Sequence, residues 1–89
     1  MEVTIHYSGR LDDGREFVNS QKKGSPLSFR VGRDKKVIDG LHQGVLGMQL
    51  GGVRTIVVPA HLGYGEDGFG RIIPPEANLI FQVTLTEID

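Results

Sequence analysis

The chain has 89 residues, a formal net charge of −1, 38% hydrophobic and 24% charged residues, and no cysteine. This length predicts one domain, residues 1–89, and the composition is typical of an ordinary folded globule rather than a disordered chain. The chain has no basic block that would attract nucleic acid, and disulfides, thiolate nucleophiles and cysteine zinc sites are excluded.

Alternating patterns in the first third of the chain predict three short strands. Val3, Ile5 and Tyr7 alternate with polar residues, which is typical of a half-buried strand with these three side chains inward. The Asp-Asp-Gly sequence at 12–14 is typical of a tight turn. The segments that follow are a return strand at 15–18, a polar loop at 19–26 and a third strand at 27–31.

The segment 36–48 changes period and predicts the only helix of the chain. Its apolar side chains fall on one helical stripe, formed by Val37, Ile38, Leu41, Val45 and Met48. Three glycines interrupt this segment, each at a cost of about 1 kcal/mol relative to alanine. We interpret Gly40, Gly44 and Gly47 as sites of close packing, where the helix lies against a sheet.

Two more strands are predicted in the second half. Residues 53–58 are rich in β-branched side chains, which is typical of a central strand, and Pro59 ends the segment. Residues 79–86 form the longest alternating pattern. Four or five strands and one helix, joined by short turns, predict an α+β fold: an antiparallel sheet with the helix on its inner face.

The loop between these two strands is unusually apolar. Leu62, Tyr64, Phe69, Ile72 and Ile73 all stand outside the predicted elements. Because loops run over the surface, these side chains are expected to cover or to bind something. A concave apolar pocket with a few polar groups is the usual form of a binding site.

Other motifs indicate little chemistry. Residues 63–68 spell G-x-G-x-x-G, but no helix is predicted to open on the last glycine, as a dinucleotide site requires. His6, His42 and His61 lack metal-binding spacing and are interpreted as surface or capping histidines. The carboxylate pairs at 12–13 and 66–67 lie in turns, and no serine has the context of a catalytic nucleophile. We expect no metal and no cofactor.

Five blocks of the sequence resemble the FKBP-type peptidyl-prolyl cis-trans isomerases. They are Val-Thr-Ile-His-Tyr-Ser-Gly-Arg-Leu at 3–11, Asp-Gly-Arg-Glu-Phe at 13–17, Val-Ile-Asp-Gly-Leu at 37–41, Gly-Met-Gln-Leu-Gly-Gly at 47–52 and the segment 59–81. The blocks follow one another over nearly the whole chain. The resemblance implies a twisted antiparallel β-sheet, a half-barrel, wrapped around one short α-helix, with the ligand pocket between them.

The resemblance also implies the site residues. The residues expected to act on the reacting bond are Tyr7, Phe17 and Phe81 as pocket walls, Ile38 through its backbone N–H, and Tyr64 through its hydroxyl. The residues expected to bind the substrate around them are Val37, Leu41, Leu27, Phe69, Ile72 and Ile73.

Four positions depart from the family pattern. Val18 stands where the family usually has Asp, Leu41 replaces a Trp of the pocket floor, Leu27 replaces a Phe, and Phe69 stands where His is frequent. These changes leave the pocket apolar, enlarge its floor and remove one hydrogen-bond acceptor. We therefore expect reduced affinity for macrolides such as rapamycin or tacrolimus.

The activity implied by the resemblance is acceleration of rotation about X–Pro peptide bonds in folding proteins. The expected partners are proline-containing peptides and unfolded proteins, with no nucleic acid and no membrane. A peptide-binding or chaperone-like module with weak or no turnover is the alternative. No apolar run is long enough for a membrane helix and no apolar leader opens the chain, so we expect a cytoplasmic location.

Family domains usually carry a further N-terminal strand before the first matching block. This difference predicts an unpaired sheet edge along residues 53–58, because the neighbouring strand would be missing. An exposed edge pairs readily with other chains. We therefore expect another chain, or an unusual local structure, to cover it.

Overall fold

A computed structural model describes all 89 residues. Its strands are β1 (Glu2–Leu11), β2 (Glu16–Asn19), β3 (Leu27–Arg30), β4 (Val53–Val58) and β5 (Leu79–Ile88), and its helices are α1 (Ser20–Lys23) and α2 (Asp39–Gly44). Two 3₁₀ turns, Ala60–Leu62 and Gly65–Asp67, lie in the loop between β4 and β5. The predicted α+β class and the antiparallel sheet are confirmed.

The two ten-residue strands β1 and β5 form the centre of the sheet. They pair antiparallel from Val3 opposite Ile88 to Leu11 opposite Leu79. The strand order is β2-β1-β5-β4. Strand β3 pairs with the N-terminal half of β1, whereas β2 pairs with its C-terminal half. The long alternating patterns around residues 3–7 and 79–86 belong to these two strands. The sheet is therefore organised by its most regular sequence segments.

The inner face of the sheet carries the hydrophobic core. Ile5, Leu79 and Val83 are completely buried, and the polar residues between them point away from the core. Helix α2 covers this face and contributes Leu41 to the same cluster. The alternation seen in the sequence is therefore the alternation of core and solvent that a sheet with one covered face requires.

Helix α2 lies very close to β4, as its glycines predict. A Cβ atom at Gly40 would be 2.5 Å from the side chain of Val58, and one at Gly44 would be 2.5 Å from that of Ile56. The end of the helix is held by Arg54, whose Nη1 donates to the carbonyls of Gly44 and Leu46 at 2.8 and 2.7 Å. Close approach therefore explains two of the glycines inside the apolar stripe.

The predicted helix at 36–48 is too long. Only Asp39–Gly44 is helical, because Ile38 before it is extended, with φ −64° and ψ 152°. After Gly44 the chain continues in turns, and Gly47 has a positive φ of 79°. Val37 and Val45 are nevertheless buried with Leu41. The apolar residues share one core, although only the middle of the stripe is helical.

The segment 19–26 was predicted to be a loop, and this is wrong for its first half. The side chain of Asn19 accepts hydrogen bonds from the backbone N–H groups of Gln21 and Lys22 at 3.0 and 3.1 Å. Gly24 ends the turn in a left-handed conformation with φ 86°. An Asn cap followed by a C-terminal glycine is a helix signal that the polar composition of this segment concealed.

Strand β4 pairs only with β5 and lies at the edge of the sheet, as the comparison with family domains predicts. Its assignment as a central strand from β-branched composition is therefore wrong. Val53 and Val57 are 60% and 68% exposed along this edge. Coverage of the edge by another chain stays a prediction. Neither helix of the fold is long and apolar enough to cross a membrane.

Candidate functional site

One apolar cavity lies between the sheet, the residues that lead into α2, and the long β4–β5 loop. Its volume is about 240 Å³. Twelve of its thirteen lining residues are hydrophobic. They are Tyr7, Phe17, Val18, Leu27, Val37, Ile38, Leu41, Tyr64, Phe69, Ile72, Ile73 and Phe81, and the thirteenth is Lys36.

The aromatic wall of the cavity is organised around Phe81 on β5. The ring of Phe17 meets that of Phe81 edge-on at 5.7 Å and 84°, and the ring of Tyr7 lies 6.1 Å from it at 39°. These separations are typical of stabilising aromatic pairs. Because Phe81 is buried and held from both sides, its ring is a rigid apolar surface at the base of the cavity.

Gly9 makes this aromatic arrangement possible. It lies opposite Phe81 in the β1–β5 register. A Cβ atom at this position would be 2.7 Å from Phe81 Cε1 and 2.8 Å from Phe17 Cζ. The rings therefore occupy space that any other residue would fill. Gly9 was not among the residues predicted from the sequence, and an isolated glycine inside an alternating strand pattern is the signal that could have found it.

A backbone donor is available where the chain enters α2. The N–H of Ile38 has no acceptor within the chain, whereas the N–H of Val37 donates to the carbonyl of Asp34 at 3.3 Å. Ile38 itself lines the cavity. A ligand carbonyl is the group that would satisfy this donor. The geometry agrees with the donor role that the family resemblance implies.

The two tyrosines of the chain both line the cavity. Burial raises the pKa of Tyr7 above its ordinary value, and the nearby hydroxyl of Tyr64 raises it further. Burial alone raises the pKa of Tyr64. Both hydroxyls therefore keep their protons at neutral pH and act as hydrogen-bond donors or acceptors rather than as bases.

The long loop closes the cavity as a flap. The rings of Tyr64 and Phe69 lie 5.1 Å apart, and the N–H of Phe69 donates to the carbonyl of Ile73 at 2.8 Å. Ile73 is buried, whereas Phe69 and Ile72 are 58% and 54% exposed. Ile73 therefore anchors the flap to the core, whereas Phe69 and Ile72 lie exposed at the mouth of the cavity.

All eleven site residues expected from the sequence line this one cavity. The cavity places them together, while their individual catalytic and binding roles stay predictions. Two further residues line it. Val18 is one of the departures from the family pattern, and Lys36 was not among the predicted site residues. Lys36 precedes Val37 directly, and this adjacency was the available signal.

The other depressions of the surface are lined mainly by polar residues and glycines. One on the opposite face of the sheet, of about 210 Å³, is lined mainly by polar side chains such as His6, Asn19 and Gln82. No group of three or more histidine, aspartate or glutamate side chains is arranged to hold a metal ion. Within the segment 63–68 only Gly65–Asp67 forms a 3₁₀ turn, and no α-helix opens on Gly68. The apolar cavity is therefore the candidate site.

Comparison with known proteins identifies the family. The model of the FKBP-type peptidyl-prolyl cis-trans isomerases matches residues 1–86. FK506-binding protein 2 of Yarrowia lipolytica is 46% identical over 87 residues, which are 98% of this chain and 60% of that protein. An FK506-binding protein of Neisseria meningitidis serogroup C is 42% identical, over 98% of this chain and 79% of that protein.

Solved structures share the fold. AtFKBP13 superposes with a TM-score of 0.91 and 35% identity over 99% of this chain and 78% of its own. FkpA of Escherichia coli superposes with a TM-score of 0.86 and 41% identity over 97% of this chain and 38% of its own. The chain spans about 60% of the length of the yeast relatives that it matches. With the cavity and its lining, these matches show that the chain belongs to the FKBP-type peptidyl-prolyl cis-trans isomerase family.

Proposed function

We propose that this domain is a peptidyl-prolyl cis-trans isomerase that accelerates rotation about X–Pro bonds in folding proteins. The observation that carries the proposal is the apolar cavity, whose aromatic base is formed around Phe81 and whose lining includes Ile38, a residue with an unpaired N–H. Membership of the family supports the same activity. The substrates are proline-containing peptides and unfolded proteins.

The chemistry of this reaction needs no nucleophile, base or metal. Rotation about a peptide bond meets a barrier of about 18–20 kcal/mol, because resonance stiffens the C–N bond. The X–Pro bond has nearly balanced cis and trans forms that exchange slowly. Catalysis therefore requires a site that binds the twisted amide more tightly than either planar form.

The cavity offers the interactions that such a site requires. The aromatic wall of Tyr7, Phe17 and Phe81 takes the proline ring. The Ile38 N–H and the neutral Tyr64 hydroxyl hold carbonyls that flank the rotating bond. An apolar surrounding favours the twisted amide, because twisting removes resonance and reduces the charge on the carbonyl oxygen that water would otherwise stabilise.

A second function is favoured by the departures from the family pattern. Leu41 at the cavity floor and Val18 in its wall replace a larger side chain and a hydrogen-bond acceptor of the usual site. A less tightly shaped pocket binds proline-containing segments with little preference for the twisted amide. The domain would then act as a peptide-binding or chaperone-like module with weak or no turnover.

NMR exchange spectroscopy on a short Leu-Pro peptide tests the proposal. With catalytic amounts of the domain, exchange cross-peaks between the cis and trans resonances are expected. Phe81→Ala and Tyr64→Phe are expected to reduce the exchange rate, and His61→Ala, at an exposed site outside the cavity, is expected to leave it unchanged. Peptide shifts that report binding without exchange would support the module instead.

Reduced macrolide affinity and a cytoplasmic location stay predictions. The cavity volume of about 240 Å³ is below the roughly 300–1,000 Å³ typical of pockets for drug-sized ligands. This volume agrees with a site that accepts one proline ring and its neighbours.

A further inference from the structure

His42 on helix α2 makes two hydrogen bonds that determine its tautomer. The N–H of Gly32 donates to Nδ1 at 2.8 Å, and Nε2 lies 2.8 Å from the carbonyl oxygen of Asp34. A backbone N–H can only donate and a carbonyl can only accept. His42 therefore carries its proton on Nε2 and accepts at Nδ1, and both nitrogens of the neutral ring are used.

The segment that His42 holds is the connection between β3 and α2. Gly32 and Asp34 both lie in this connection. The ring of His42 also packs edge-on against Phe29 of β3, with centroids 5.2 Å apart. One imidazole thus joins the helix, the end of β3 and the connecting loop.

The same loop delivers the site residues to the cavity. The carbonyl of Asp34 accepts from His42 and also from the N–H of Val37 at 3.3 Å, and the carboxylate of Asp34 accepts from the N–H of Lys36 at 3.0 Å. Val37, Lys36 and the following Ile38 line the cavity. A direct chain of hydrogen bonds therefore connects the His42 ring with the backbone that precedes the free N–H of Ile38.

The backbone of helix α2 also holds Ile38, independently of the imidazole. The backbone N–H of His42 donates to the carbonyl of Ile38 at 3.4 Å, and the N–H of Leu41 donates to the same carbonyl at 3.1 Å. Ile38 is thus held through its carbonyl by the helix and through the preceding residues by the clamped loop. Positioning of this kind decides rates, because a reacting group that is displaced by 1 Å costs up to about a hundredfold.

We propose that His42 is a positioning residue of the isomerase site, which acts as a two-bond clamp on the β3–α2 connection and thereby places the Ile38 N–H. It does not touch the cavity itself, since it is not among the lining residues. The inference rests on the proposed function for its effect on turnover. The clamp, by contrast, is a property of the free protein.

The clamp is tested first in the free wild-type protein by the ¹⁵N shifts of the imidazole. A pyrrole-type Nε2 and a pyridine-type Nδ1 are expected for His42 at neutral pH. The opposite tautomer, or a ring protonated at both nitrogens, would overturn the clamp. This measurement does not depend on turnover or on the folding of any variant.

The effect on catalysis is tested with His42→Ala, His42→Gln and the control His61→Ala, at a temperature where urea titration shows each variant fully folded. His42→Ala is expected to lower kcat/KM at least about tenfold and to shift the Ile38 amide resonance. Glutamine both accepts and donates, so His42→Gln is expected to recover most of the rate. Equal losses for both variants, or an unchanged Ile38 amide in His42→Ala, would refute positioning.

Failure of the proposed function gives a different result. In that case the wild type itself shows no exchange of the Leu-Pro peptide, while the ring tautomer and the shift of the Ile38 amide remain as described. If His42→Ala does not fold, the comparison of wild type with His42→Gln and with His42→Leu, which retains the apolar contact with Phe29, still decides between clamp and simple packing.

Discussion

The ring of Phe17 meets the ring of Phe81 edge-on at 5.7 Å, in space that exists because residue 9 is a glycine. The three residues come from β2, β5 and β1, so the sheet itself assembles the aromatic base of the cavity. The flap and the entrance to α2 add the remaining walls. The site is therefore built on rigid strands on one side and on loops on the other.

Gly9→Ala tests this relationship. The added Cβ would overlap both rings, so we expect a loss of about 1–3 kcal/mol in the free energy of unfolding, as for other overpacked cores. Because the rings must move, the isomerisation rate should fall more than stability alone explains. Urea titration and peptide exchange measure the two effects. Ser8→Ala, the adjacent position, is the control, and a fully active Gly9→Ala would contradict the assignment of these rings to the substrate.

Leu41→Trp tests the enlarged floor. Leu41 is buried at the cavity, and an indole would extend apolar contact into it. We expect tacrolimus affinity to rise about tenfold, which corresponds to about 1.4 kcal/mol. Isothermal calorimetry would measure it, with Val45→Met as a buried control outside the cavity. An unchanged or lower affinity in a folded Leu41→Trp variant would show that the floor does not limit macrolide binding.

The two tyrosines provide an alkaline test of the site. Their folded-state pKa values are raised by burial above the ordinary value. The stability that this provides is fully present below the unfolded pKa of about 10 and is lost as the pH rises through the folded values. The near-ultraviolet absorbance change that reports tyrosine ionisation should therefore occur at a higher pH in the folded protein than in the protein in urea. Coincident titrations would show that neither hydroxyl is shielded.

Val57→Lys tests the free edge of β4. Val57 is 68% exposed, and a charge on an edge strand discourages pairing with another chain. We expect the free energy of unfolding to change by less than about 0.5 kcal/mol, as is usual for surface substitutions. Sedimentation at high concentration should show weaker self-association than in the wild type. A wild type that stays monomeric and exchanges its β4 amides rapidly would exclude coverage of this edge by a second copy.

The sequence predicted the residues of the site better than it predicted the secondary structure that positions them. Periodic patterns identified the strands, since alternation along a strand reports which face is buried. The resemblance to one family then collected eleven residues that prove to line a single cavity. The helix was overextended because apolar spacing continues through Val37 and Val45, which reach the core from non-helical backbone.

Sequence alone thus determined the class of fold, the strand faces and the apolar character of the site, because these follow from local composition and spacing. Only the tertiary structure decided the role of Gly9 and the two bonds of His42. Each depends on a contact between residues that are distant along the chain. Gly9 meets Phe81, and His42 meets Gly32, only after the strands have paired and the helix has docked.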